Sequence, residues 1–126
     1  MGFANKMGKT LYEDVVVYNS GQNAFGEDVA VPDYADFNAD ALITIKENWN
    51  FSYIPRMAIN WIPMVICDHS PISDSMTRNL ETAFKVISVS RHAQFELMKK
   101  KIESTYIPHG VSTSVFKPLD KARCKK

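Results

Sequence analysis

Five short runs of consecutive apolar residues recur along the chain, and most of their members are β-branched or aromatic. They are Val15–Tyr18, Ala41–Ile45, Ile62–Cys67, Val86–Val89 and Thr105–Ile107. Apolar residues on successive positions, rather than on alternate ones, are typical of strands that are buried on both faces of a parallel sheet. The pattern therefore predicts five strands of a mainly parallel sheet with helices on both faces.

A first long helix is predicted at residues 73–85, where the apolar spacing is that of an amphipathic helix. Its stripe consists of Met76, Leu80, Ala83 and Phe84. Ser73 or Asp74 can cap its first turn.

A second long helix is predicted at residues 90–102. Its apolar face consists of Ala93, Leu97 and Met98. Ser90 is suited to the N-cap, and Lys99, Lys100 and Lys101 fill the last turn, where positive charge complements the helix dipole.

Two shorter helical segments complete the pattern, at Pro32–Phe37 and, interrupted by Pro55, at Phe51–Ile59. Strands that alternate with helices imply βαβ units. The expected fold is α/β, with a doubly wound, mainly parallel, Rossmann-like sheet in residues 14–118. Residues 1–13 form a lead, and residues 119–126 form a polar tail that is either loose or a short terminal helix.

Composition narrows the functional classes. The 126 residues are 45% hydrophobic and 23% charged, with a net charge of +1, which indicates a globular chain without the basic field of a nucleic-acid-binding protein. No apolar run reaches the length of a membrane span, and the N-terminus does not resemble a signal peptide, so a cytoplasmic location is expected.

The cysteine and histidine content argues against metal or disulfide chemistry. Cys67 lies in an apolar run and is expected to be a buried thiol, whereas Cys124 is in the basic tail. The three histidines show neither HxxxH nor HExxH spacing, and no P-loop or GxGxxG motif is present, so neither a metal nor a cofactor is expected.

Polar residues follow each apolar run, at the positions where ligands bind in open parallel sheets. The five segments are Asn19–Gly26, Lys46–Trp49, Asp68–Pro71, Ser90–His92 and Pro108–Gly110. A ligand-binding rim is one interpretation, and the ordinary exposure of strand ends is the other. For Asp68 and His69 the functional interpretation is favoured. Together with Ser70 they cannot form a catalytic triad, because contiguous residues do not converge.

The order of several segments resembles the N-terminal domain of group 1 (family four) glycosyltransferases. TYIPHGVSTSVFKPLDK resembles the signature "iPhGvDt..F.P.dk", and VISVSRHAQFELMKK resembles "viavSrf....l.k". Upstream, WIPMVICDHSPIS is similar to "w.pyvp.DheP.p", ALITIKENWNF to "dvvitlkd.w.f", and YNSGQNAFGEDV to "yp.g.nayG.dv". The matches run from about Val15 to Lys121.

This resemblance implies the GT-B architecture, in which two Rossmann-like domains face each other across a cleft. Such hexosyltransferases move a sugar from a nucleotide-sugar to a sugar or lipid acceptor with retention of configuration, and they do not strictly require a metal. The N-terminal domain shapes the acceptor side, and the C-terminal domain holds the nucleotide and paired glutamates.

Six positions carry the family's site residues over to this chain: Asp68, His69, Ser90, Arg91, His109 and Gly110. Their implied roles are to line the cleft and to support the sugar or acceptor, with Asp68 and His69 as the candidates for catalysis. Ser112 departs from the family, which usually has Asp at that position.

The resemblance also implies an incomplete enzyme. The family's first strand and glycine-rich loop have no counterpart before Val15, and the matched region ends at the interdomain linker. We therefore expect a partial acceptor domain that is inactive alone, that uses a partner chain for the C-terminal domain, and that self-associates or is marginally stable.

Two alternatives stay open. One is a stand-alone, non-catalytic Rossmann-like module for binding or interaction. The other is an unrelated small doubly wound domain, flavodoxin-like or receiver-like. The receiver version is disfavoured because Asn19 and Ser20, rather than acidic residues, follow the first run.

Overall fold

The chain combines a four-stranded parallel sheet with a separate antiparallel hairpin, as seen in a computed structural model that describes residues 8–124. The hairpin consists of β1 (Lys9–Tyr12) and β2 (Val15–Tyr18). The parallel sheet consists of β3 (Leu42–Thr44), β4 (Trp61–Val65), β5 (Ile87–Ser88) and β6 (Thr105–Tyr106). The α/β class is therefore confirmed, and four of the five predicted strands lie in the parallel sheet.

Residues 8–124 also contain four α-helices and three 3₁₀ turns. The α-helices are α1 (Glu27–Phe37), α2 (Asp74–Arg78), α3 (Arg91–Lys99) and α4 (Lys121–Cys124). The 3₁₀ turns are Asn48–Asn50, Ile54–Arg56 and Asn79–Thr82. No helix in residues 8–124 is long and apolar enough to cross a membrane.

The helix predictions were correct in place and partly wrong in extent. The first helix begins at Glu27 rather than at Pro32, and the segment 51–59 contains only a 3₁₀ turn. The helix predicted from Ser73 changes to 3₁₀ geometry at Asn79, and Ser73 makes no side-chain cap bond. The side-chain amide of Asn79 donates a hydrogen bond to the Phe51 carbonyl at 2.6 Å. This bond links the turn to the preceding connection, between β3 and β4.

The first apolar run is not part of the parallel sheet, so that prediction was wrong. β2 pairs antiparallel with β1 through a two-residue turn, Glu13 and Asp14, both with positive φ. Positive φ at both central residues is the geometry that suits a tight hairpin. Tyr18 donates a hydrogen bond to Asp36 of α1 at 2.6 Å, and Lys9 forms an ion pair with the same carboxylate, so the hairpin is fastened to the helix.

The strand order of the parallel sheet determines which face is covered. The order is β3-β4-β5-β6, so each strand pairs with the next one in the chain, without a reversal. Right-handed crossovers in an unreversed order all lie on the same face. Trp61, Pro63 and Val65 of β4 are accordingly buried, whereas Ile62 and Met64 between them are only partly covered.

The uncovered side, here called the open face, is apolar along its whole length. Strand register places these residues on it: Ile43, Ile45, Ile62, Met64, Ile66, Ile87, Val89, Thr105 and Ile107. Ile43 is 56% exposed and Ile66 is 42% exposed. The prediction of strands buried on both faces is therefore wrong for the described sheet.

The core lies on the covered face in two clusters. One consists of Val65, Cys67, Ile72, Met76, Leu80, Val86, Ala93 and Leu97. The other consists of Phe51, Ile54 and Trp61, in which the Phe51 and Trp61 rings meet edge to face at 6.0 Å. The buried state expected for Cys67 is confirmed, whereas Met98, expected on the buried face of α3, is exposed.

Leu97→Ala is expected to lower the free energy of unfolding by about 2–5 kcal/mol, because it leaves a cavity at a fully buried position. Met98→Ala is the matched control on the same helix, and its exposed side chain should change stability by no more than about 0.5 kcal/mol. Urea unfolding of the two variants measures the difference. Equal losses would contradict the packing of α3 described here.

Candidate functional site

The predicted site residues follow the carboxyl ends of three adjacent strands. β4, β5 and β6 are parallel neighbours, so the segments that leave them start at the same edge of the sheet. Asp68 and His69 follow β4, Ser90 and Arg91 follow β5, and His109 and Gly110 follow β6. The topology thus assembles the six residues at one edge, although it does not by itself assign them a role.

Asp68 and His69 form a solvent-accessible pair. Nδ1 of His69 lies 3.0 Å from a carboxylate oxygen of Asp68. The His69 side chain is 44% exposed, and the Asp68 side chain is 93% exposed. The hydrogen bond from His69 lowers the pKa of Asp68, which keeps this carboxylate ionised. Because an ionised carboxylate only accepts, Nδ1 is the donor in this bond, and in the neutral form of the ring Nε2 is an acceptor.

The main-chain carbonyl of His69 connects the loop after β4 to residues on the covered face of the sheet. Its carbonyl oxygen accepts from the Cys67 thiol at 3.1 Å and lies 3.2 Å from Nε2 of His92. His92 lies in the first turn of α3, so the loop after β4 and the start of α3 are in direct contact.

Ser90 and Arg91 occupy the start of α3 and have different partners. The Ser90 hydroxyl accepts from the Ala93 N–H at 3.0 Å, which confirms the predicted N-cap and occupies the side chain structurally. The Arg91 guanidinium stacks over the Tyr106 ring at 4.0 Å and donates to Gln94 at 2.9 Å. Arg91 is thereby held flat against β6.

His109 and Gly110 lie at the same edge and are exposed. They open a segment, residues 108–121, in which every residue is exposed. The structure thus brings together the loop after β4 and the start of α3, whereas His109 and Gly110 share the edge by topology alone.

Glu96 supports this edge and was missed from the sequence. It is almost fully buried in α3 and accepts from the Ser70 hydroxyl at 2.8 Å and from the Ile72 N–H at 3.2 Å. Lys99 pairs with it at 2.6 Å. The bonds from Lys99 and Ser70 lower the pKa of Glu96 to about 2. An ionised carboxylate therefore joins α3 to the loop directly after His69.

A second buried carboxylate, Glu27, performs a similar role at the other end of the sheet. It accepts from the N–H of Ile54 at 2.8 Å, from the N–H of Tyr53, and from the Ser52 hydroxyl at 3.2 Å. Burial raises its pKa, but the backbone donors outweigh that effect and the pKa is lowered overall. Glu27 joins the start of α1 to the 3₁₀ turn at Ile54.

Asn48, in the segment after β3, is buried and structural. Its amide nitrogen donates to the Met76 carbonyl, and its backbone carbonyl accepts from Asn79 at 2.9 Å. Its side-chain oxygen has no hydrogen-bond partner among the described residues. In the segment Lys46–Trp49, only the residues around Asn48 are exposed and therefore accessible to a ligand.

Two further features of residues 8–124 bear on ligands. No group of three or more His, Cys, Asp or Glu side chains is arranged to hold a metal ion. An open groove of about 600 Å³ lies at the amino edge of the sheet, next to Lys85 and Ser104, on the side away from the predicted site.

The chain was also compared with known proteins. No protein-family model matches it, and neither a curated protein nor a solved structure was found to be similar.

The stability of the protein is expected to depend on pH through Glu96. The pKa of Glu96 is lowered from its ordinary value of 4.5 to about 2 by folding, so the unfolded chain takes up this proton first. The contribution of Glu96 to stability is therefore complete above pH 4.5 and is lost as the pH falls towards 2. Thermal melts across this window measure it.

Glu96→Gln should flatten the pH dependence of the melting temperature in this window. Glu81→Gln, at an exposed carboxylate, is the control and should retain the wild-type slope. An unchanged slope in Glu96→Gln would show that this carboxylate is not the group responsible.

Proposed function

We propose that this chain is the acceptor-side domain of a retaining, nucleotide-sugar-dependent glycosyltransferase of the GT-B type, and that it is inactive alone. In this proposal, the four-stranded sheet is one half of a doubly wound, Rossmann-like sheet. An unreversed strand order is what one half of such a sheet has, because the reversal occurs at the switch point between the halves.

The observation that carries the proposal is the convergence at the carboxyl edge. The same residues that the family resemblance singles out follow three adjacent parallel strands, at the edge where α/β proteins bind ligands. The resemblance rests on short segments in order, and the topology gives those segments a common location.

The Asp68–His69 pair supplies the chemistry that such an edge needs. Asp68 orients the ring and stabilises positive charge on it, and the Nε2 lone pair of His69 can accept a hydrogen bond or a proton from a sugar hydroxyl. Arg91, which lies over the Tyr106 ring, adds a cation at the start of α3, the helix whose His92 contacts the His69 carbonyl. These groups suit recognition of a polar acceptor rather than of an apolar one.

One wall of a cleft does not suffice for transfer. Bringing two substrates into a fixed geometry can supply roughly 7–11 kcal/mol of barrier lowering. The donor side, with its nucleotide and glutamates, belongs in this proposal to a second domain, on this or a partner chain. The chain described here should therefore bind acceptor sugar weakly and turn over no donor.

The test combines turnover and binding. The purified chain, incubated with UDP- and GDP-sugars and simple sugar acceptors, should release no nucleotide. In amide NMR titrations with acceptor sugars, the signals of His69, Arg91 and Gly110 should shift. His69→Ala should weaken the binding by on the order of 10-fold, the loss of about one charge-assisted hydrogen bond.

Lys85→Ala, at the amino edge of the sheet, is the control and should bind like the wild type. Turnover by the chain alone would contradict the proposed division of labour. Binding that maps away from the carboxyl edge, or is unchanged in His69→Ala, would overturn the proposed site. Binding at the edge without transfer, even when a donor-binding domain is supplied, would favour the stand-alone, non-catalytic module.

A further inference from the structure

The open face is an apolar surface that the chain leaves without a partner. Its residues form three rows across the sheet: Ile43 with Ile62, then Ile45, Met64, Ile87 and Thr105, then Ile66, Val89 and Ile107. Thr105 is its one polar member, and none is charged. The largest apolar patch on a typical soluble monomer is about 300–600 Å² and is often a site of interaction.

Charge decides which partner suits this face. A surface without charged groups gives no advantage to an acidic or basic partner, because buried charges would go unpaired. A second copy brings an identical uncharged face. Two twisted sheets can pack face to face with their strands about 30° apart, as in β-sandwiches.

Area adds a second constraint. With strands about 4.8 Å apart and same-face side chains about 6.6 Å apart, the nine side chains of the open face cover about 300 Å² in projection. A stable interface buries about 800 Å² on each partner. The sheet face alone is thus too small, and a second apolar surface next to it is needed.

The tail after β6, defined here as residues 108–119, provides that surface. Four of its apolar side chains are 68–71% exposed: Val111, Val115, Phe116 and Leu119. The tail leaves the sheet directly after Ile107, a member of the last row of the open face. The tail therefore begins at the edge of the open face.

We propose that two copies of this chain associate through their open faces, sheet against sheet, with the tails covering the apolar margin of the interface. The arrangement is isologous, since the same surface is used by both copies. The paired sheet faces do not involve the loops after β4 and β5, although the tail contains His109 and Gly110 of the candidate site. The test of this proposal therefore measures mass rather than sugar binding.

Sedimentation equilibrium on the whole chain is the test. The wild type should show twice the 14.3 kDa mass of one chain, with dissociation on dilution. The double variant Ile43→Lys with Ile66→Lys should raise the dissociation constant on the order of 100-fold or more, because it buries ammonium groups in an apolar interface. Both positions are substantially exposed within one chain, so the variant should remain folded, which circular dichroism verifies.

Phe95→Lys is the matched control, since Phe95 is similarly exposed but lies on α3, and it should associate like the wild type. Val115→Ser with Phe116→Ser should weaken association less than the lysine pair does. Ile43→Lys alone, in the edge strand β3, is a further test variant that should remain folded.

Three results would overturn the proposal. They are a wild-type chain that is monomeric at all concentrations, a lysine pair that retains the wild-type mass, and a Phe95→Lys variant that dissociates equally. A mass that grows beyond two chains would also overturn it, because an isologous pair is closed.

Discussion

Coverage of the parallel sheet on one face is the constraint from which the rest of the structure follows. The strand order never reverses, so the crossovers accumulate on one side, and both core clusters lie there. β4 shows this within a single strand, because Trp61 and Val65 are buried while Met64 between them is not. The core, the carboxyl edge and the apolar open face are thus consequences of one topological choice.

Buried carboxylates hold the irregular parts of this fold. The crossovers contain short helices and 3₁₀ turns, whose backbone N–H groups are only partly satisfied within the turns themselves. Glu27 accepts from two backbone N–H groups of a distant segment and Glu96 accepts from one, and each also accepts from a serine hydroxyl. These hydrogen bonds take the place of the regular backbone hydrogen bonds that longer helices and strands would have supplied.

The sequence predicted the parts of the fold that local patterns control. Ser90 was recognised as an N-cap because its side chain acts within its own first turn. The assignment of Val15–Tyr18 failed because three valines in a row look alike in a buried strand and in a hairpin, and only the turn at Glu13 distinguishes them. Glu96 was missed for a related reason. Its position one turn after Ala93 on the buried stripe was the available signal, but its partners, Ser70 and Ile72, are distant in the chain.

The position of α3 has a mechanical consequence for the carboxyl edge. Its first turn carries Arg91 and His92, and its second turn carries Glu96. His92 contacts the carbonyl of His69, and Glu96 accepts a hydrogen bond from Ser70, so both turns contact the loop after β4. With a rise of about 1.5 Å per residue, these two contacts are less than about 10 Å apart along the helix axis. Helix and loop are therefore linked at two points, and we expect them to move together. A force applied to the exposed side of α3 should then displace the loop that carries Asp68 and His69.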